Sequence, residues 1–173
     1  MRVFKALLFC AVTILLTACS KEEATERLPG FEVPVIAGFQ MRSIMGEAMG
    51  NVGYPNIKLY DGADFTSSKN FFSSYPNPSS SNLYIYVLER DYPTMKKIWM
   101  VPARRLGEPE KSVLNQGMYS LYAGGTPLFQ LETLGENIVL DVTGIPEGYY
   151  RLYVKIKDVL LYDNIVISKQ FNY

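Results

Sequence analysis

The chain has 173 residues, with seventeen basic and seventeen acidic side chains, two cysteines and no histidine. Balanced charge offers no polycationic surface for nucleic acid. The missing histidine excludes Ser-His-Asp and Cys-His catalysis and removes the commonest zinc and haem ligand.

In chain order, the first element is 1–18. Arg2 and Lys5 form a cationic start, and the apolar run 6–16 is too short to span a bilayer as a mature helix. Leu16-Thr17-Ala18-Cys19 closes it and reads as a lipobox. The segment thus resembles a bacterial lipoprotein signal. The resemblance implies a diacylglycerol on the Cys19 sulfur, cleavage before that residue and acylation of the new amino group. Membrane lipid is then the first partner, since each buried methylene contributes roughly 0.8 kcal/mol and two or three acyl chains hold firmly. Cys10 leaves with the signal, so no disulfide and no free thiol are expected. Loss of Arg2 and Lys5 leaves fifteen bases against seventeen acids, a net charge of minus two.

Residues 19–29 read as a polar, lipidated tether. Ser20-Lys21-Glu22-Glu23-Ala24-Thr25-Glu26-Arg27 resembles the acidic export signal that follows the lipidated cysteine in Bacteroidetes surface lipoproteins. That resemblance implies the outer membrane, with the cell surface favoured over the periplasmic face. The lack of Asp directly after Cys19 fits the same address.

Residues 30–173 are the size of one domain. Short alternating runs separated by Gly, Pro, Asn and Asp predict strands at 30–36, 56–60, 81–89, 97–101, 118–122, 128–133, 137–142, 149–157 and 160–168. In 81–89, Leu83, Ile85 and Val87 share one face and Tyr84, Tyr86 and Leu88 the other. In 97–101, Ile98 and Met100 oppose Trp99 and Val101. In 149–157, Tyr150, Leu152, Val154 and Ile156 form a dry face, against a wet one of Tyr149, Arg151, Tyr153, Lys155 and Lys157. A polar turn near Asp158 makes the last two strands a hairpin.

Between these, 37–74 has little pattern. Met41, Met45 and Met49 recur at helical spacing and would offer soft ligands to Cu(I), but Gly38, Gly46, Gly50 and Gly53 weaken a helix and gap-filling core is the expected role. Asp61 and Asp64 lie in an Asp-Gly-Ala-Asp stretch that lacks the alternation and distal Glu of a calcium loop, so it reads as an ordinary turn. Gly124-Gly125 is followed by Thr126-Pro127, not by the lysine of a phosphate loop. No metal and no cofactor are expected.

The order Leu140-Asp141-Val142, Ile145-Pro146-Glu147-Gly148, Tyr149-Tyr150 resembles the tyrosine corner of immunoglobulin-like sandwiches. It implies an all-β, antiparallel, immunoglobulin-like β-sandwich with Tyr150 bonding back to the preceding turn. Tyr75-Pro76-Asn77-Pro78, Leu83, Ile85 and 145–152 also resemble the C-terminal sorting domains of the type IX secretion system. Those domains are small β-sandwiches. Residues 96–130 lack their Asp-x-x-Gly turn, and 168–173 lack their basic-apolar tail, so the resemblance points to fold and phylum rather than to sorting.

Carboxylates that could serve glycoside hydrolysis are Asp61, Asp64, Glu89, Asp91, Glu108, Glu110, Asp141 and Glu147, most of them near turns or on outward faces where solvated charge is expected. The stronger candidates are aromatic. Tyr84, Tyr86, Trp99, Tyr149 and Tyr153 face away from the aliphatic rows and would form a platform for a sugar or a protein partner, with ordinary sheet packing as the competing role. Lys96, Lys97, Arg104 and Arg105 bracket Trp99 and suit an anionic ligand or lipid headgroup, or simply solvated strand ends. The expected role is non-catalytic: an accessory module docking to an envelope protein assembly, or alternatively a glycan-binding surface lipoprotein, or a small carboxylate-dependent hydrolase.

Overall fold

Alternating apolar residues in runs of five to ten, broken by turn formers, favour strands whose single apolar face must find another sheet. The computed structural model describes residues 33–107 and 127–170. Over these residues the chain is all-β, with no helix. Its strands are β1 (Val35–Ile36), β2 (Gly38–Arg42), β3 (Ala48–Gly53), β4 (Asn70–Tyr75), β5 (Asn82–Glu89), β6 (Lys96–Arg105), β7 (Phe129–Thr133), β8 (Asn137–Asp141), β9 (Gly148–Ile156) and β10 (Val159–Ile167).

The longest alternating stretches build the larger sheet. β9 and β10 pair antiparallel across the two-residue turn Lys157-Asp158, and β6 lies antiparallel along the other edge of β9. The far edge of β6 is shared: β7 pairs with its first half, and β1 pairs parallel with Arg104 and Arg105. Pro102 falls between these two partners. Met100 O accepts from Leu128 N and Arg104 N donates to Pro34 O, so the alternation of strand bonding turns the Pro102 nitrogen into the gap, where no donor is needed.

A second antiparallel sheet has the order β4-β5-β8, and β2 and β3 form a separate antiparallel hairpin. Phe72, Leu83, Ile85 and Val87 from the second sheet share one core with Ile98, Met100, Tyr150, Leu152, Val154, Ile156, Leu161, Ile165 and Ile167 from the first. Each such side chain contributes roughly 1.5–3 kcal/mol relative to exposure. At the entrance to β9, the Tyr150 hydroxyl donates to Pro146 O at 2.6 Å, a bond that ties the strand to the turn before it.

Several expectations need correction. Residues 56–60 form no strand, only isolated bridges from Lys58 to Tyr162 and from Tyr60 to Phe71. Of 30–36, only Val35–Ile36 is a strand among the described residues. The expected strand 118–122, Glu108, Glu110 and the Gly124-Gly125 stretch lie outside the described residues. Strands β2, β3 and β4 lie in or at the end of the stretch 37–74, where the sequence shows little pattern. The three methionines sit on the β2–β3 hairpin and form neither a helical stripe nor core, since Met45 is 78% exposed and Met49 58%.

Two buried ion pairs occupy inward positions of the strands. On β10, Asp163 alternates with Leu161 and Ile165 and is completely buried. Arg42 Nη1 meets its Oδ2 at 2.5 Å, the Ser74 hydroxyl donates to the same oxygen at 2.6 Å, and Arg42 also donates to Ser74 O and Gln40 Oε1. Asn77, between cis Pro76 and cis Pro78, extends this network. Its Nδ2 donates to Gln40 O and Asn164 O, and its Oδ1 accepts from Val166 N. The Asn164 amide in turn donates to Gly38 O and Asn56 Oδ1. Side-chain amides thereby fasten β2 to β10 where no continuous ladder exists.

The second pair joins Glu89, at the end of the Leu83-Ile85-Val87 row, to Lys96, at the start of the Ile98-Met100 row. Glu89 Oε1 lies 2.6 Å from Lys96 Nζ. Oε2 accepts from the Thr94 hydroxyl and amide, while Nζ also donates to Leu134 O. Glu89 is thus a buried counterion, not a solvated turn residue, and Lys96 is not available to a ligand.

Removing one partner from such a pair leaves the other charge buried alone. Arg42→Ala is expected to cost about 3–5 kcal/mol in urea unfolding, whereas Tyr150→Phe, which loses one hydrogen bond, costs about 1 kcal/mol.

Burial pushes the Glu89 carboxyl up, but the Lys96 ammonium and the Thr94 donors outweigh it and hold the group below the usual glutamate value. A folded pKa below the unfolded one gives stability that is complete above the unfolded carboxylate range and is lost as pH falls through the folded value. Melting curves from about pH 6 downward should show Glu89→Gln less stable than the native chain, with the gap narrowing as acid removes the native charge.

Candidate interaction surface

The aromatic residues expected to form one platform are divided between two opposite outer faces. Tyr84 and Tyr86 lie on the outer face of β4-β5-β8 and are half-buried; Tyr75 stacks on Tyr84 with centroids 5.8 Å apart, and Gly46 of the β2–β3 turn packs on the Tyr75 ring. Trp99, Tyr149 and Tyr153 are on the outer face of the larger sheet. Trp99 and Tyr153 are 2% and 7% exposed, so neither presents a ring to solvent, and the wet face expected of β9 is partly dry. Their registers align Trp99, Tyr153 and Tyr162 in one row across β6, β9 and β10. Trp99 and Tyr153 stack at 5.0 Å and 12°, and the Arg151 guanidinium sits 5.0 Å above the Tyr162 ring. Burial pushes the Tyr153 phenol up, and Arg151 draws it part of the way back. Tyr149 stands half-buried between Ala103 and Val166 on the neighbouring strands. Cys19 lies outside the described residues.

The carboxylates have structural partners. Asp61 accepts from the amides of Lys69 and Asn70 and from the Asn70 side chain. Asp64 accepts from Ser67 and Thr66, and Asp141 from Thr143. Asp61 and Glu89 help line a cleft of about 290 Å³ with Asp91 and Asp158. Burial raises the Asp61 carboxyl, but its hydrogen bonds prevail, and both Asp61 and Glu89 are held below their ordinary values. A general acid for glycoside hydrolysis needs the opposite shift.

The surface with the strongest interaction chemistry is the β2–β3 hairpin. β2 is fixed on one side by Asn77, whose backbone exchanges hydrogen bonds with Arg42 at 2.9 and 3.0 Å. On its other side β2 pairs with β3, and β3 pairs with no further strand among the described residues. β3 reads Ala48-Met49-Gly50-Asn51-Val52-Gly53, without the lysine or proline that commonly guards an edge. The register shifts between Met41 and Arg42, so that Met49 is the extra residue of a bulge next to Gly50, whose φ is 123°. Bulges of this kind aim a side chain outward. Gly38 and Gly53 pair so closely that a Cβ on either would strike the opposite backbone.

Ile44, Met45, Met49 and Tyr54 are all exposed on this one element, and Tyr54 is 89% exposed. Between Ser43 and Ile57 the only charge is Glu47. Sequence reasoning missed the surface because glycines and exposed residues erase the alternation that marks a half-buried strand. The available signal was the concentration of apolar residues and glycine in a segment nearly free of charge.

No family model, no curated protein and no solved structure matches the chain.

Trp99→Ala is expected to cost roughly 3–5 kcal/mol, as removal of a buried aromatic does. Ile44→Ser and Met45→Ser should each stay within about 0.5 kcal/mol of the native chain. Chemical unfolding of the three variants checks this division between packing and surface.

Proposed function

We propose that the protein is a lipid-tethered, non-catalytic immunoglobulin-like β-sandwich of the bacterial outer membrane that docks to another envelope protein through its β2–β3 hairpin. The observation that carries the reading is the charge-poor edge of β3, which is open among the described residues and flanked by Ile44, Met45, Met49 and Tyr54. Such an edge offers main-chain bonds to a partner strand, and the flanking side chains add apolar area. The immunoglobulin-like assignment is supported by the two sheets around one core and by the Tyr150–Pro146 bond. The lipid anchor is supported by the order of the cationic start, apolar run and Leu16-Thr17-Ala18-Cys19. Attachment at Cys19 on the outer membrane, with the cell surface favoured, would bring the domain to its partner.

A second reading, a glycan-binding surface, has one observation in its favour: the half-buried Tyr75, Tyr84 and Tyr86 on the outer face of β4-β5-β8. It predicts sugar binding that Tyr84→Ala abolishes and that hairpin substitutions leave intact.

Metabolic labelling with palmitate should mark the native chain and not Cys19→Ala. Purification from detergent-solubilised envelopes with lipid retained should recover one envelope protein in stoichiometric amount. Met45→Lys with Met49→Lys should lower that recovery at least tenfold without lowering Tm. Equal recovery with this double variant would overturn the docking assignment.

A further inference from the structure

A second surface, separate from the hairpin, carries more positive charge than the residues lining it neutralise. Lys97 on β6 is the register partner of Lys155 on β9, and Lys157 follows two residues later at the turn into β10. With Met95 and Glu132 these three lysines line an open hollow of about 240 Å³. None of the three ammonium groups has a hydrogen bond or ion pair among the described residues. Lys69 and Lys96, by contrast, pair with Asp91 and Glu89.

The pairing of Lys97 with Lys155 and the conformation of Lys157 work against the fold. Like charges directly opposite on antiparallel strands repel and disfavour the pairing. Glu132 is the register partner of Lys97 on its other side, and Lys157 also borders the cleft lined by Asp61, Asp91 and Asp158; the residues lining the hollow itself keep an excess of two positive charges. Lys157 has a φ of 52°, the only non-glycine residue at positive φ among those described, at the first position of a two-residue turn that favours glycine or asparagine. Neutral residues at 155 and 157 would serve the hairpin better. Met95 is exposed at the rim and offers apolar contact beside the charge.

We propose that this hollow is a binding site for a phosphate-class dianion, carried on a small organic skeleton. A tetrahedral oxyanion has enough acceptor oxygens to take a charge-assisted hydrogen bond from each ammonium, and its charge removes the repulsion between Lys97 and Lys155. The methionine rim receives the carbon skeleton. A phosphomonoester is the shared chemistry, and its source is either a lipid headgroup or a soluble sugar phosphate.

The test is calorimetric titration of the full-length protein in a neutral detergent. Inorganic pyrophosphate, glucose 1-phosphate and monomeric dihexanoyl phosphatidic acid are added separately at constant ionic strength. The native chain should bind pyrophosphate. Lys155→Glu, which pairs with Lys97, should weaken binding at least tenfold while melting no lower than the native chain. Lys157→Gly should weaken it severalfold and raise Tm, and Lys169→Glu, an exposed lysine elsewhere, should change nothing. Tighter binding of the phosphatidic acid than of the sugar phosphate identifies a lipid headgroup, and the reverse identifies a soluble source. Absence of pyrophosphate binding at millimolar concentration, or equal weakening by Lys169→Glu, would overturn the site.

Discussion

A carboxylate on the inward side of a strand cannot remain there alone, and the position of Asp163 governs much of this molecule. It replaces an apolar residue in the Leu161-Ile165-Ile167 row and is completely buried. The Arg42 guanidinium and the Ser74 hydroxyl must both reach it. Arg42 comes from β2, Ser74 from β4 and Asp163 from β10, so one buried charge fixes three elements of separate sheets. A buried pair adds little net stability over a well-packed apolar substitute, but it penalises every arrangement that leaves one charge unmet. Here that penalty sets where β2 docks, and the amides of Asn77 and Asn164 complete the attachment.

From that attachment follows the exposure of β3. β2 is held along one side by polar side chains and Asn77, which leaves its other side for the hairpin partner and leaves β3 as an edge among the described residues. The glycines at 38 and 53 bring the two strands close. The bulge at Met49 turns an apolar side chain outward. The same lock that is costly to break therefore presents a rigid, charge-poor edge, and rigidity lowers the ordering entropy lost on binding. The larger sheet divides its labour differently. Its outer face is occupied by the Trp99-Tyr153-Tyr162 row as packing, while the lysines at its Lys97 end carry charge that packing does not require.

The strands that bury one face were legible, because a period of two in 81–89 and 149–157 has only one physical cause. β9 and β10 begin and end within a residue or so of where alternation places them. β3 was not, since exposed residues and glycine are under no constraint to alternate, and β2 was not, since its five residues carry the polar Gln40 and the charged Arg42 on partly or fully buried positions. The buried charges were legible in principle. Extending the Ile98-Met100 row back by two residues reaches Lys96, and extending Leu83-Ile85-Val87 forward by two reaches Glu89, each a charge at an inward position that requires a partner. Asp163 follows the same logic within its own row. What alternation cannot show is which outer faces stay wet: Trp99 and Tyr153 are on the outward side of their strands and are still buried.

The most direct test of the central claim is native-state amide hydrogen exchange on the full-length protein. If the Asp163-centred network fixes β2, the mutually bonded amides of Arg42 and Asn77 should exchange as slowly as those of Ile98 and Leu152, through global unfolding only, while amides on the open side of β3 exchange fast. Exchange at Arg42 and Asn77 orders of magnitude faster than at the core strands would contradict the account, because the hairpin would then detach independently of the fold it is held to.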